Sequence, residues 1–163
     1  MKVRILAAAA VAAGALVVGA AAPAIAIAPA APSGSLTVYT NETQHNVLDL
    51  GASGTTVGDV VTGSGTTSAT KGGKANGTFA YRAETVRVNM PGGNLNRINS
   101  SVYDLPGGTI MVAGLVSIQQ GTEPTKPQPL IIVGGTGKYA GANGTVTLTP
   151  GKKSYKATFT FTS

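Results

Sequence analysis

The sequence predicts an all-β domain, a sandwich or a closed barrel, behind an N-terminal leader. Three observations carry the prediction. After residue 34 no apolar residues recur at helical three-and-four spacing over a useful length. Runs rich in Val, Ile, Thr and aromatic residues alternate instead with Gly, Pro and Asn clusters. Charged residues make up only 11% of a chain that holds 23 glycines, and disorder needs the opposite balance of high charge and low hydrophobicity. The 163 residues suffice for one domain plus the leader.

The leader comes first. Met1-Lys2-Val3-Arg4 is a basic start, Ile5 to Ala22 is almost wholly apolar, and Pro23 precedes the small-residue run Ala24-Ile25-Ala26-Ile27-Ala28. This order predicts a bacterial-type signal peptide over residues 1–28, cut after Ala26 or Ala28, and hence a secreted protein with no membrane contact after cleavage. The competing reading is a retained transmembrane anchor, since the stretch approaches the ~20 residues of a span. The Ala-rich composition, Pro23 and the lack of a basic stop-transfer cluster weigh for cleavage. Residues 29–35 then form a flexible mature N-terminus, and 36–163 the single domain.

The strands follow in order. Leu36 to Thr40 is the first, with Asn46 to Gly51 extending or following it. Thr56 to Thr62 is next, and the Gly-, Ser- and Thr-rich Gly63 to Gly73 reads as a loop or weak edge strand. Thr78 to Met90 is long and stopped by Pro91-Gly92-Gly93. Leu95 to Leu105 stops at Pro106-Gly107-Gly108. Thr109 to Gln120 ends at Gly121 and a Pro-rich loop. Leu130 to Val133 is short, and Gly144 to Thr149 pairs with Ser154 to Thr162 across Pro150-Gly151. About eight strands result. An eight-stranded barrel has an interior just wide enough for side chains or one small ligand.

Period-two geometry assigns faces. Tyr155, Ala157, Phe159 and Phe161 form the core side of the last strand. Ile110, Val112, Gly114, Val116 and Ile118 share one face of theirs, while Met111, Ala113, Leu115 and Ser117 share the other. A strand apolar on both faces is buried on both or meets a subunit, so a homo-oligomer, dimer or trimer, is expected. In the long third strand Arg82 and Glu84 form an outer pair. Tyr81 and Arg87 then point inward with Phe79, and a lone cation in an apolar pocket would orient a carboxylate or phenolate.

Several chemistries are excluded. The chain has no cysteine, which removes disulfides, thiolate catalysis and Cys-held metals. Closing a barrel is one way for a domain without disulfides to protect its sheet edges. The net charge of +6 falls by two when Lys2 and Arg4 leave with the leader, and the remaining cations are scattered, which speaks against nucleic acid as a partner. His45 is the single histidine. It lies in a polar stretch and reads as an exposed, solvated residue, with no metal set around it. Gly137-Lys138 is followed by Tyr139, not Ser or Thr, so no phosphate loop forms there.

The segment Ile132-Val133-Gly134-Gly135-Thr136-Gly137-Lys138-Tyr139-Ala140-Gly141-Ala142-Asn143-Gly144 resembles the signature of the allene oxide cyclase and dirigent protein superfamily. Gly58-Asp59, Tyr103-Asp104, Gly107-Gly108 and the Tyr155 to Phe161 strand are similar to further family pieces and stand in family order. The resemblance implies an eight-stranded antiparallel barrel, often trimeric in plant members, with a largely apolar pocket. Gly134, Gly135, Gly137, Tyr139, Gly141, Ala142 and Gly144 are its structural signature. Plant cyclases carry an acidic group near the first strand, where this chain has Glu42. With Tyr81, Arg87, Phe79 and Tyr103, Glu42 completes the pocket candidates; the catalytic residues stay unassigned. The function implied is binding a small apolar molecule and guiding its cyclisation or coupling, isomerase-like, with no cofactor and no metal. A non-catalytic extracellular ligand-binding or structural barrel, or an adhesive surface barrel, stays open beside it.

Overall fold

The computed structural model describes residues 30–89, 93–119, 122, 124–151 and 154–162. The signal peptide expected over residues 1–28 lies outside them. Eight strands form one closed barrel in chain order: β1 (Gly34–Leu48), β2 (Val60–Ser68), β3 (Gly77–Val88), β4 (Asn94–Leu105), β5 (Gly108–Gln119), β6 (Gln128–Gly135), β7 (Gly144–Gly151) and β8 (Ser154–Phe161). Every neighbouring pair is antiparallel, and β1 closes the ring on β8. Closure leaves no free sheet edge, which suits a domain with no disulfide to hold it.

Two sequence expectations are corrected here. Asn46 to Leu48 extends β1, one of the two readings open for it, whereas Thr56 to Gly58, expected to begin a strand, lies in the turn before β2. The stretch read as a loop or weak edge supplies Gly63 to Ser68 to a strand paired on both sides. Glycine is strand-poor in general, but Gly63 is needed by the lumen. A Cβ there would overlap the Glu42 carboxylate and the edge of the Tyr81 ring.

The core fills one half of the barrel. A column of rings runs down it: Tyr81 on Phe79, Phe79 on Tyr103, Tyr103 edge-on to Phe159, Phe159 on Phe161, and Phe161 on Tyr139. Centroids lie between 5.1 and 6.5 Å apart, within the range of favourable aromatic pairs. The glycine-rich segment is the plug at the bottom. Its short 3-10 turn (Gly137–Tyr139) inserts Tyr139 beneath Phe161. Thr136 Oγ1 accepts from Thr109 N (3.1 Å), and Lys138 N donates to Gly107 O (2.8 Å). Gly137 has φ +58° and faces Gly107 so closely that a Cβ would overlap the Gly107 carbonyl. Only glycine lets the two turns meet there.

At the other end, Asp59 ties down the β1–β2 loop. It is buried, and its carboxylate accepts from Thr56 N (2.6 Å), Leu50 N (2.9 Å) and Thr56 Oγ1 (3.0 Å). The Thr56 amide, then the Leu50 amide, hold its carboxyl below the ordinary range, because those bonds favour the charged form. A depressed native value means the contribution to stability is complete above the unfolded-chain value of 3.8. It is lost as pH falls through the lower native value. The Leu50 and Thr56 amide resonances are therefore expected to hold through pH 3.8 and move together only below it. Movement at the ordinary carboxylate value would contradict this anchoring role.

Candidate functional site

Above the aromatic column the lumen stays open as a cavity of about 410 Å³. Its mouth lies at the end of the barrel that carries the β1–β2 loop and the β5–β6 connection, with Thr55, Thr122 and Pro124 at the rim. The plug closes the opposite end. Val116, Ile118 and Leu148 make one side mostly apolar, with Gln128 of β6 set among them. Strands β1, β3 and β4 give the other its polar groups.

Glu42, Tyr81 and His45 form one cluster on that polar side. Tyr81 Oη donates to Glu42 Oε1 (2.8 Å), and His45 Nδ1 lies 3.1 Å from the same oxygen and 3.3 Å from Tyr81 Oη. Glu42 and His45 are three residues apart on a strand, a spacing that strict alternation places on opposite faces. A β-bulge resolves this. Glu42 pairs with Gly65 and Gln44 with Ser64, which leaves Thr43 as the extra residue and turns His45 to the lumen side. Glu42, His45, Pro124 and Tyr155 also border a second hollow of about 350 Å³ outside the mouth.

A second bulge overturns the expected cation. In β3, Thr85 pairs with Arg97 and Arg87 with Asn96, so Val86 is extra and the alternation flips. Arg87, expected inward, is exposed and lies outside the cavity. The cation in the cavity wall is Arg97 of β4, whose Nε donates to Thr85 Oγ1 (3.2 Å). Asn99 and Ser101 follow it on the same face and are joined by a 2.6 Å hydrogen bond from Ser101 Oγ to Asn99 Oδ1.

The other sequence candidates fall as follows. Phe79, Tyr81, Tyr103 and Glu42 all line this one cavity. Tyr103 is buried in its floor, and burial pushes its phenol well above the usual range, so it stays a neutral O–H donor. The signature residues Gly134, Gly135, Gly137, Tyr139, Gly141, Ala142 and Gly144 do not border the cavity. Arg82 and Glu84 form the expected outer pair, at 3.1 Å. Sequence reasoning missed Arg97, Asn99 and His45. Alternation in β4 carried the signal for the first two, since Arg97, Asn99 and Ser101 share the face of Leu95, Tyr103 and Leu105. For His45 no local signal marks the bulge.

The allene oxide cyclase barrel like domain family matches residues 36–161. No curated protein matches the chain by sequence. Among solved structures, a pyocyanin demethylase superposes with TM-score 0.67 at 24% identity, covering 78% of this chain and 99% of its own. A nonspecific heme-binding cyclase, described as catalysing a 4 + 2 cycloaddition during neoabyssomicin biosynthesis, gives 0.60 at 18%, covering 78% of this chain and 63% of its own. A Diels–Alderase from Streptomyces koyangensis gives 0.60 at 17%, covering 78% of this chain and 64% of its own. This chain thus spans less than two thirds of the two cyclase chains, and at these identities the likeness is one of fold.

Proposed function

We propose, proceeding from the fact that this chain belongs to the allene oxide cyclase barrel-like domain family, that its cavity binds one small apolar molecule and guides its cyclisation or coupling. The observation that carries the reading is the lumen itself. A space of about 410 Å³ is within the range of small-molecule sites. It is closed below by the plug, mostly apolar on one side, and supplied with one guanidinium, from Arg97. A ligand with an apolar body and one acidic oxygen fits that distribution of groups. Rate enhancement comes from holding a reactive molecule in one folded conformation and from excluding water. The cyclase and Diels–Alderase neighbours support this reading, while the demethylase neighbour is a reminder that one barrel hosts several chemistries.

Export and self-association belong to the same proposal. Residues 1–28 are removed on secretion, and the outer face of β4–β6 meets a second copy. Ile98 stands opposite Leu115, Val102 opposite Met111, and Ile131 opposite Ala113, all but Ala113 exposed large hydrophobics. A patch of this kind marks an interface. Leu115→Lys is expected to shift sedimentation to the monomer; an unchanged sedimentation coefficient argues that the face is free.

One measurement tests the core of the reading. The native mass spectrum of the protein secreted by its own cells is expected to give a chain lacking the leader, an oligomer mass and a stoichiometric small-molecule adduct. An adduct-free barrel that also takes up no apolar probe overturns the ligand reading and leaves a structural barrel.

A further inference from the structure

Strand β4 sets Arg97, Asn99, Ser101 and Tyr103 on the lumen side, in that order from mouth to floor. Arg97 supplies the charge of the proposed site. Asn99, 9% exposed, and Ser101, 3% exposed, stand below it and have no part in that reading. Their mutual hydrogen bond fixes how the amide is turned. The contact is 2.6 Å long, ordinary for O–H···O and too short for N–H···O. The atom that faces Ser101 Oγ is therefore the amide oxygen, and the hydroxyl donates to it.

The amide nitrogen is then the free end. The bond at Oδ1 is the one hydrogen bond of the Asn99 side chain among the described residues. Among those residues, the sole buried side-chain nitrogen or oxygen without a partner is Thr67 Oγ1. Asn99 Nδ2 is thus not sealed off, and for a side chain in the cavity wall its open side is the lumen. An amide NH2 carries two donors and no acceptor. Ser101 holds the acceptor end away, so Asn99 offers the cavity donors alone. A ligand that covers these donors without an acceptor strips their water and replaces nothing, which costs affinity.

Resting on the ligand-binding reading above, we propose that Asn99 is a specificity-determining residue, which selects ligands that carry a carbonyl oxygen on the edge facing β4. Asn99 Nδ2 donates to that oxygen. Ser101 is a positioning residue, because its bond to Oδ1 keeps the amide from turning over. The ligand class is an apolar ketone, quinone or lactone, since a carbonyl is the strong neutral acceptor that an otherwise apolar molecule can carry. A hydrocarbon of the same shape leaves the amide donors unpaired and binds less well. Sites built to hydrogen-bond one group discriminate in this way against analogues that lack it. The demand is separate from the charge that Arg97 reads, and no covalent step is involved.

The probes are fluorenone and fluorene, flat fused-ring molecules that differ by a carbonyl oxygen in place of a methylene's hydrogens. Equilibrium dialysis gives their affinities for the intact protein. Infrared difference spectra of bound fluorenone, labelled at the carbonyl carbon, report the hydrogen bond directly. The fluorenone-to-fluorene affinity ratio is expected to fall by about tenfold in Asn99→Leu, and the carbonyl stretch to move to higher frequency. Ser101→Ala keeps the amide but frees it to turn, so the ratio is expected to fall by about threefold and the carbonyl band to broaden. A purely structural role would lower both affinities together and leave the band where it is. If neither molecule binds the wild-type protein, the ligand reading falls and this proposal with it. If both bind, and Asn99→Leu leaves the ratio or the band unchanged, ligand binding stands and Asn99 is not the reader. Should Asn99→Leu fail to fold, Ser101→Ala decides by the same criteria.

Discussion

Replacing Phe159 with Ala is expected to lower the stability of the barrel by about 3–5 kcal/mol. Phe159 is fully buried in β8, opposite Leu36 on one side and Val146 on the other. Its ring meets Tyr103 edge-on at 5.1 Å and stacks with Phe161 at 6.4 Å. Truncation removes the transfer energy of the ring and both aromatic pairings, and it opens a void under the cavity floor. The surrounding strands are tied into a closed ring, so they have little freedom to collapse into that void. Against a total stability of about 5–15 kcal/mol for a domain of this kind, the loss is a large share. Urea denaturation of the two proteins measures it. A loss below about 1 kcal/mol would mean that the lumen repacks and that the aromatic column is not what holds the barrel.

The second large effect is on recognition. Arg97→Met is expected to weaken binding of naphthoate, a flat apolar anion, by about tenfold to a hundredfold, the equivalent of a charged hydrogen bond worth about 1.5–3 kcal/mol. Binding of naphthalenemethanol, of similar shape and no charge, should change far less. Arg87→Met is the control and should leave both affinities alone, since Arg87 is exposed outside the cavity. Because Arg97 Nε also bonds Thr85 Oγ1, and Thr85 is fully buried, the variant's unfolding curve must be recorded alongside its affinity. Equal loss for the anion and the alcohol at unchanged stability would show that Arg97 shapes the pocket without reading charge.

The contrast between Arg87 and Arg97 shows where sequence reading reaches its end. Between bulges the period of two holds well. It places Tyr155, Ala157, Phe159 and Phe161 on the inner side of β8, and it separates Ile110, Val112 and Val116 from Met111 and Leu115 in β5. The class, the approximate strand number and the glycine-rich signature segment are likewise legible, because each is set by residues close together in the chain. Gly107, at φ +96°, turns the chain between β4 and β5, a conformation that glycine adopts at no steric cost.

What only the tertiary structure decided is the membership of the cavity wall. A bulge is defined by the count of residues on two paired strands, so neither strand's own sequence reveals it. Thr43 against β2 turns His45 inward beside Glu42, and Val86 against β4 turns Arg87 outward. The strand role of Gly63 is of the same kind, since its value lies in the space it leaves for Glu42 and Tyr81. The sequence by itself determined an all-β chain of about eight strands, a sandwich or a barrel by its residues and a barrel by its family resemblance. Strand pairing decided which charges face its interior, because facing is a property of register, and register exists only between strands.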